Sequence, residues 1–322
     1  MAAGSFKIYG LQKDGSRIPA AGSAGDGVAS DALKLGGKAP EYYIQPRNLL
    51  DNSDFRKPVN QRGNTEITGD WNYGIDRWLV STKYEQNPNG SILITDNGLS
   101  MGYWTDMMQL IPFEQLKSKT LTFAVCTENG VYAYTMTLPE SVPPVGGGAM
   151  YFGDGIWNDI IVMETIKYDN NDSVMFRFRN AQTTNQLVYW AALYEGAYTA
   201  ETLPPYVPKQ YAVELAECQR YYRRIEHTSN MVLFPAIAYN TKSLYGTLPF
   251  GFRVKPTIRV SNVVFCKSGI STAKTVVSCT AVGTGAITSM MVSVNEGDAV
   301  TGDTYNIWTS PNGGYMELSA DL

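Results

Sequence analysis

VMFRFRN (Val174–Asn180) alternates apolar and polar side chains with a period of two. Val174, Phe176 and Phe178 face one way, Arg177 and Arg179 the other, the pattern of a strand with one side in a core. Runs of similar length surround it at Ser91–Thr95, Thr120–Thr127, Val131–Leu138, Ile160–Tyr168 and Leu187–Leu193. Glu128-Asn129-Gly130, Gly146-Gly147-Gly148 and Asp169-Asn170-Asn171-Asp172 supply turns between them. Many short strands at this spacing predict a sandwich or jelly roll.

Beyond this β-rich half comes LYEGAYTAETLPPYVPKQYAVELAECQRYYRRI (Leu193–Ile225). Pro204, Pro205 and Pro208 predict an extended lead-in, because proline fixes φ and lacks an amide donor. No Gly or Pro interrupts Lys209–Ile225, and Tyr211, Leu215, Cys218, Tyr222 and Ile225 follow a 4-3-4-3 spacing. That spacing predicts one face of a helix. Two readings follow: a helix lying on its own domain, or a short collar in which this face meets other copies of the chain. After it, MVLFPAIAY, TLPFGFRV, TIRVSNVVF, KTVVSCTAV, TSMMVSV and GYMELSADL read as strands of a smaller β-domain.

The chain has 322 residues, 44% hydrophobic and only 17% charged, with 30 Gly, 16 Pro and 21 Tyr. The charged fraction lies below the roughly 25% of an average globular protein, which suits turn-rich β-domains with tyrosine-rich surfaces. A net charge of −4 argues against a nucleic-acid binder, which needs a basic stripe. Cys126, Cys218, Cys266 and Cys279 lack metal-ligand spacing and read as free thiols. With one histidine, His227, a histidine triad or multi-histidine zinc site is nearly excluded. The N-terminal MAAGSFKIYGLQKDG lacks the apolar stretch of a signal peptide, and no apolar run reaches the roughly 18 residues of a membrane span. The expectation is a protein made in the cytoplasm, with no membrane insertion.

The segment ALYEGAYTAETLPPYVPKQYAVELAECQRYYRRI, above all Glu214-Leu215 and Cys218-Gln219-Arg220-Tyr221-Tyr222, resembles one that recurs in tail-fibre and receptor-binding proteins of bacteriophages and prophages. NLLDNSDF (Asn48–Phe55) resembles the first strand of jelly-roll carbohydrate-binding modules. Gln61-Arg62-Gly63 and Gly74-Ile75-Asp76-Arg77-Trp78 continue the phage-fibre pattern. FGFRVKPTIRVS (Phe250–Ser261) and the ending Tyr315–Leu322 resemble elements of fibre tips. Asp31–Tyr43 resembles segments of fibre shafts, and reads otherwise as a linker. The resemblance covers most of the chain beyond the first 30 residues.

The expected fold is therefore mainly β, in four parts. Residues 1–47 form an extended particle-attachment segment, 48–207 a jelly-roll β-sandwich, 208–226 a linking helix and oligomer collar, and 227–322 a C-terminal β-sandwich tip. The resemblance implies a non-catalytic phage tail fibre in the virion, homotrimeric, that binds a bacterial surface glycan and meets a baseplate or tail protein through its N-terminus. The alternatives are a stand-alone carbohydrate-binding protein and a tail-associated glycan hydrolase.

Sugar rings stack their C–H faces on aromatic rings, while Asn, Asp and Gln bond the hydroxyls. Trp71, Tyr73, Tyr84, Trp104, Tyr151 and Trp157 lie among Gly, Asn and Asp, as loop aromatics do. Tyr239, Tyr245 and Trp308, with Asn240 and Asn312, are the corresponding candidates of the C-terminal domain. Trp78 and Trp190 sit in apolar runs and read as core. Asp70 and Asp76, and Asp154 and Asp159, are carboxylate pairs near aromatics that a glycosidase could use. No cofactor is required. Asp51, Asp54, Asp169 and Asp172 are oxygen donors that a structural calcium could take, but also suit solvated turns.

Overall fold

A computed structural model of the chain describes residues 9–11, 17–19, 46–141, 149–157, 161–168, 172–227, 231–268, 272–283 and 287–321. The side chains of 9–11, 17–19, 156, 157 and 168 lie outside that description. The protein is mainly β, as its alternation predicts, with one α-helix among the described residues. It divides into two compact units: Met1–Arg47 with Leu203–Tyr206, and Asn48–Thr202 with Val207–Leu322. In the first, Tyr9–Leu11 pairs antiparallel with Arg17–Pro19. The shaft-like segment Asp31–Tyr43 lies outside the described residues.

The second unit begins with two six-stranded antiparallel sheets. In one, the order is Gly130–Thr137, Thr120–Thr127, Gln186–Glu195, Gly98–Met101, Ile92–Thr95 and Glu66–Ile67. In the other it is Ala149–Trp157, Ile161–Tyr168, Ser173–Asn180, Asp106–Pro112, Trp78–Ser81 and Asp70–Ile75. The inward faces share one core, to which Phe123, Val125 and Leu193 come from the first sheet and Trp78, Phe176 and Phe178 from the second. Val174, Phe176 and Phe178 are buried as the period-two pattern requires. Phe178 is packed by Phe55 at 5.9 Å and Trp78 at 5.7 Å between ring centroids. Trp78 is core as expected; Trp190 is half-buried.

The opening segment departs from expectation. Asn48–Phe55 is not a strand but an irregular segment sewn down by its own side chains. Asn48 Oδ1 accepts from the Leu50 and Leu193 amides. Asn52, at φ 51°, bonds the Val59 amide through Oδ1 and the Val59 and Asp76 carbonyls through Nδ2. Trp78 Nε1 donates to the Asp51 and Asn52 carbonyls. Together with backbone bonds to the Gln186–Glu195 strand, from the Leu49 amide to the Leu193 carbonyl, the Phe55 amide to the Tyr189 carbonyl and the Ala191 amide to the Ser53 carbonyl, these bonds place Leu50 and Phe55 in the core.

The helix is shorter than its stripe predicts. It spans Tyr211–Cys218, and Tyr222–His227 is a strand paired with Gly314–Ser319. Tyr222 and Ile225 therefore do not continue the face of Tyr211, Leu215 and Cys218. Cys218 and Tyr222 are buried within the chain, and Ile225 packs on the second core. The five residues therefore do not share one helical face, and the third part of the predicted organisation, 208–226, holds the helix Tyr211–Cys218 and the start of the strand Tyr222–His227. Hydrogen-bonding partners distant in sequence won over local helix propensity, as tyrosine and isoleucine readily allow.

The C-terminal part holds a three-stranded sheet, Tyr222–His227, Gly314–Ser319, Thr257–Ser261, and a seven-stranded one. The latter runs Lys274–Thr275, Val263–Lys267, Thr304–Thr309, Val232–Ala238, Ser243–Leu248, Thr288–Ser293, Ser278–Gly283. Phe234, Phe265, Met290 and Ile307 of the long sheet and Met316 and Leu318 of the short one share the second core.

Candidate functional site

The best-formed aromatic surface lies at one end of the seven-stranded sheet. Val232–Ala238 alternates exposed and buried residues, placing Phe234, Ala236 and Ala238 in the core and Ile237 outside. Ser243–Leu248 does the same with Tyr245 outside. Between them the chain reverses at Tyr239–Lys242, where the Tyr239 and Asn240 amides donate to the Ser243 carbonyl and the Lys242 amide to Asn240 Oδ1. Such Asx geometry suits asparagine in a tight turn. Tyr239 is 69% exposed and Tyr245 41%, their rings edge to face at 5.5 Å. Gly246 allows this arrangement from below: a Cβ there would stand 2.6 Å from the Phe234 ring. Register extends the surface sideways in the row Thr304, Ile237, Tyr245, Met291, Thr280. Lys242 and Glu296 pair nearby and offset each other's charge.

Tyr239, Asn240 and Tyr245 are thus brought together, although Tyr245 is on a strand rather than a loop. Trp308, expected in a loop, is a half-buried strand residue between Val232 and Val264. Asn312 is exposed in the turn before the last strand. Sequence reading missed Ile237, Met291 and Thr304. The alternation within VLFPAIA could have placed Ile237 outside, but its neighbours follow from long-range register.

The sandwich candidates are dispersed. Tyr84 and Trp104 meet, with ring centroids 6.4 Å apart, around the Arg179 guanidinium, which lies 4.8 Å and 4.3 Å from their centroids. Tyr84 Oη donates to Asp106 Oδ2 at 2.6 Å, and Arg179 binds both oxygens of that buried carboxylate. Arg177 bridges Asp106 and Glu164. Burial, and then the Asp106 charge, push the Tyr84 phenol up. This pair is committed to an internal ion network, which weakens it as a sugar platform. Tyr73 lies 5.1 Å from the Arg62 guanidinium. Trp71, 53% exposed, and Tyr151, 58% exposed, stand on the two opposite edge strands of one sheet. The Trp157 side chain lies outside the described residues.

Of the two carboxylate pairs, only that of Asp70 and Asp76 lies wholly among the described residues, and its members differ in exposure. Asp76 has no exposed surface and accepts from the Gln61 backbone and side-chain amides, whereas Asp70 is exposed and bonded by the Ser81 hydroxyl. Asp154 is exposed, and Asp159 lies outside the described residues. Of the calcium candidates, Asp51 meets Glu214 and Glu217 with ligand atoms within 4.8 Å of one another. Lys209 Nζ sits among them, 3.3 Å from Asp51 and 3.5 Å from Glu214 and in contact with Glu217, so a lysine already supplies countercharge there. Asp54 pairs with Arg56, Asp172 is exposed, and Asp169 lies outside the described residues.

One polar cluster was not foreseen. Arg62 binds Asp321 at 2.6 Å, approaches Asp76 at 3.8 Å and lies over the Tyr222 ring at 3.7 Å. Gln61 Nε2 donates to both Asp76 and the Tyr222 carbonyl. Arg77 lies over Tyr221 at 3.5 Å. These contacts lock the sandwich to the C-terminal β-part. Desolvation by burial raises the Asp76 carboxyl to about 6, against the lowering effects of Gln61 and Arg62.

No family model, curated protein or solved structure matches the chain.

Proposed function

We propose that this protein is a non-catalytic receptor-binding protein of the phage tail-fibre kind, which attaches a particle to a bacterial surface glycan. The observation that carries the reading is the exposed Tyr239–Tyr245 pair beside Asn240, with Tyr245 on the seven-stranded sheet and Tyr239 in the turn that precedes its strand. Aromatic faces with an adjacent amide suit pyranose rings, and the balanced Lys242–Glu296 pair does not demand a charged ligand. The resemblance of Glu214–Tyr222, Gln61–Gly63 and Gly74–Trp78 to fibre proteins supports the particle context. Within that context the protein is a virion homotrimer whose N-terminal segment meets a tail or baseplate protein. A shallow site binds weakly, and several copies on one particle raise avidity by roughly a hundredfold or more without new contacts.

The test is capture of bacterial cells and their extracted surface polysaccharide by the full chain, beside Tyr239→Ala/Tyr245→Ala. Both side chains are exposed, so the double variant should keep its melting temperature and lose capture. A wild-type protein that captures neither cells nor polysaccharide would sink the proposal. New reducing ends released by the protein from that polysaccharide would replace recognition by hydrolysis.

A further inference from the structure

Among the described residues, three bulky side chains hold the left-handed backbone conformation that a Cβ disfavours: Trp71 at φ 52°, Arg77 at φ 72° and Trp104 at φ 50°. Such strain persists only where the surroundings impose it. For Arg77 they do: it is buried, bonds Asp51 and the Leu110 carbonyl, and lies over Tyr221. Trp104 packs against Tyr84 and Tyr103 beneath Arg179. Among the described residues, the Trp71 side chain has no such partner, and what holds its backbone is the bulge itself. Trp71 is more than half exposed and makes no ring contact among the described residues.

The local backbone shows what the strain achieves. Asp70 pairs with Ser81 and Asn72 with Val80, so Trp71 is the extra residue of a bulge on an edge strand. Bulges at edges redirect side chains. This one is anchored by the Thr82 amide donating to the Gly69 carbonyl at 2.8 Å and by the Ser81 hydroxyl on Asp70. Gly69, at φ 128°, is closed over by Asn72, whose Oδ1 would lie 2.7 Å from a Cβ there. The result is an indole held outward between two exposed polar residues, Asp70 and Asn72.

We propose that Trp71 is a second sugar-stacking platform, for a neutral hexopyranose whose C–H face lies on the indole and whose hydroxyls reach Asp70 and Asn72. An anionic sugar would meet the Asp70 carboxylate and is disfavoured. This inference rests on the glycan-binding reading above.

The experiment screens the full chain on a printed array of neutral and anionic glycans and measures affinity for the hits by titration. Variants are Trp71→Ala, Trp71→Gly and the Tyr239→Ala/Tyr245→Ala pair. Trp71→Ala should weaken neutral hits about tenfold, equal to about 1.4 kcal/mol. Trp71→Gly should weaken them equally while keeping the melting temperature at or above wild type, because glycine relieves the strain. If Trp71 variants bind as wild type while the tyrosine variant loses its hits, this inference fails and the glycan reading survives. A wild-type protein that binds no glycan overturns both. Hits confined to anionic glycans overturn the neutral assignment, and a clearly lower melting temperature for Trp71→Gly overturns the strain argument.

Discussion

Changing Asp76 to Asn should abolish a definite part of the protein's pH dependence. The carboxyl has no exposed surface, and burial raises it from 3.8 to about 6 despite bonds from Gln61 and the nearby Arg62. Asp321 shares Arg62, and burial raises it too. The other titratable or charged neighbours are Arg77, Tyr222 and Cys218, whose thiol burial and then the Asp76 charge push up. A carboxyl that binds its proton more tightly folded than unfolded stabilises the fold in acid. That contribution is complete below the unfolded value near 3.8 and is lost as pH rises through about 6. The full difference is on the order of 3 kcal/mol, at about 1.4 kcal/mol per unit. Between about pH 5 and pH 7.5 the part traversed is between about 1 and 2 kcal/mol, or roughly 2–6 °C in melting temperature for a unit of this size.

The assay is thermal unfolding followed by tryptophan fluorescence, since Trp78 is fully buried, across that pH range. His227→Gln, which removes the chain's single imidazole, is measured in parallel as a control. The asparagine keeps an acceptor for the Gln61 amides but cannot ionise. The variant should equal or exceed wild type near neutrality, and its advantage should shrink toward about pH 5 as Asp76 takes up its proton. Parallel wild-type and Asp76→Asn curves would refute the reasoning, and so would a wild-type melting temperature that climbs steadily toward neutrality and a variant that climbs with it.

Light scattering on the full chain should give about three times the 35.5 kDa monomer mass; a monomer at high concentration would refute the trimer. Because Leu215 lies on a short helix docked against its own chain and Ile225 on a strand, aspartate at either should lower the melting temperature rather than merely split an oligomer. Phe178→Ala should cost about 3–5 kcal/mol, read by urea unfolding, because both Phe55 and Trp78 lose a partner; a loss under about 1 kcal/mol would show that the core repacks. Burial pushes the Cys279 thiol up to about 12 and the Cys218 thiol higher still, so both should resist a thiol reagent in native buffer and react in denaturant; fast native labelling of either would refute its burial.

What could be read from the sequence divides by range. The strands Thr120–Thr127 and Ser173–Asn180 were legible because their alternation lies within one element, and a strand's period survives whatever it pairs with. The helix end was not legible. Nothing in Cys218–Ile225 announces that Gly314–Ser319 will offer Tyr222–His227 a ladder, and the same residues satisfy a helical stripe equally well. The strand Thr304–Thr309 was read as loop because Asp303, Thr304 and Asn306 interrupt its apolar run, although Tyr305 and Ile307 alternate into the core. The tyrosine pair was half legible. Tyr239 and Tyr245 were picked out by their polar neighbours, whereas the surface joining them depends on which strands pair. Trp71 was picked out as an aromatic, but its bulge is a property of register that only the folded sheet displays.

The segments Gln61–Gly63, Gly74–Trp78 and Glu214–Tyr222 converge on one place, and it is not the aromatic surface. Arg62 of the first lies over Tyr222 of the third, Arg77 of the second lies over Tyr221, and Gln61 and Asp76 complete the contact. These residues hold a sandwich against a second β-part through buried charge, stacked guanidinium groups and a few directed bonds. Such a junction fixes geometry, because each arginine must find both its ring and its carboxylate. These three segments therefore serve to hold the two β-parts together, which is a scaffold property, and leave ligand contact to other residues. Tyr239, Tyr245 and Trp71 are free to serve that purpose because none of them contributes to either core or to the junction. On the glycan-binding proposal, substitutions that alter binding should accordingly map to these exposed aromatics and leave the melting temperature nearly unchanged. Changes at Arg62, Arg77 or Tyr221 should lower stability first, and reach binding only through it.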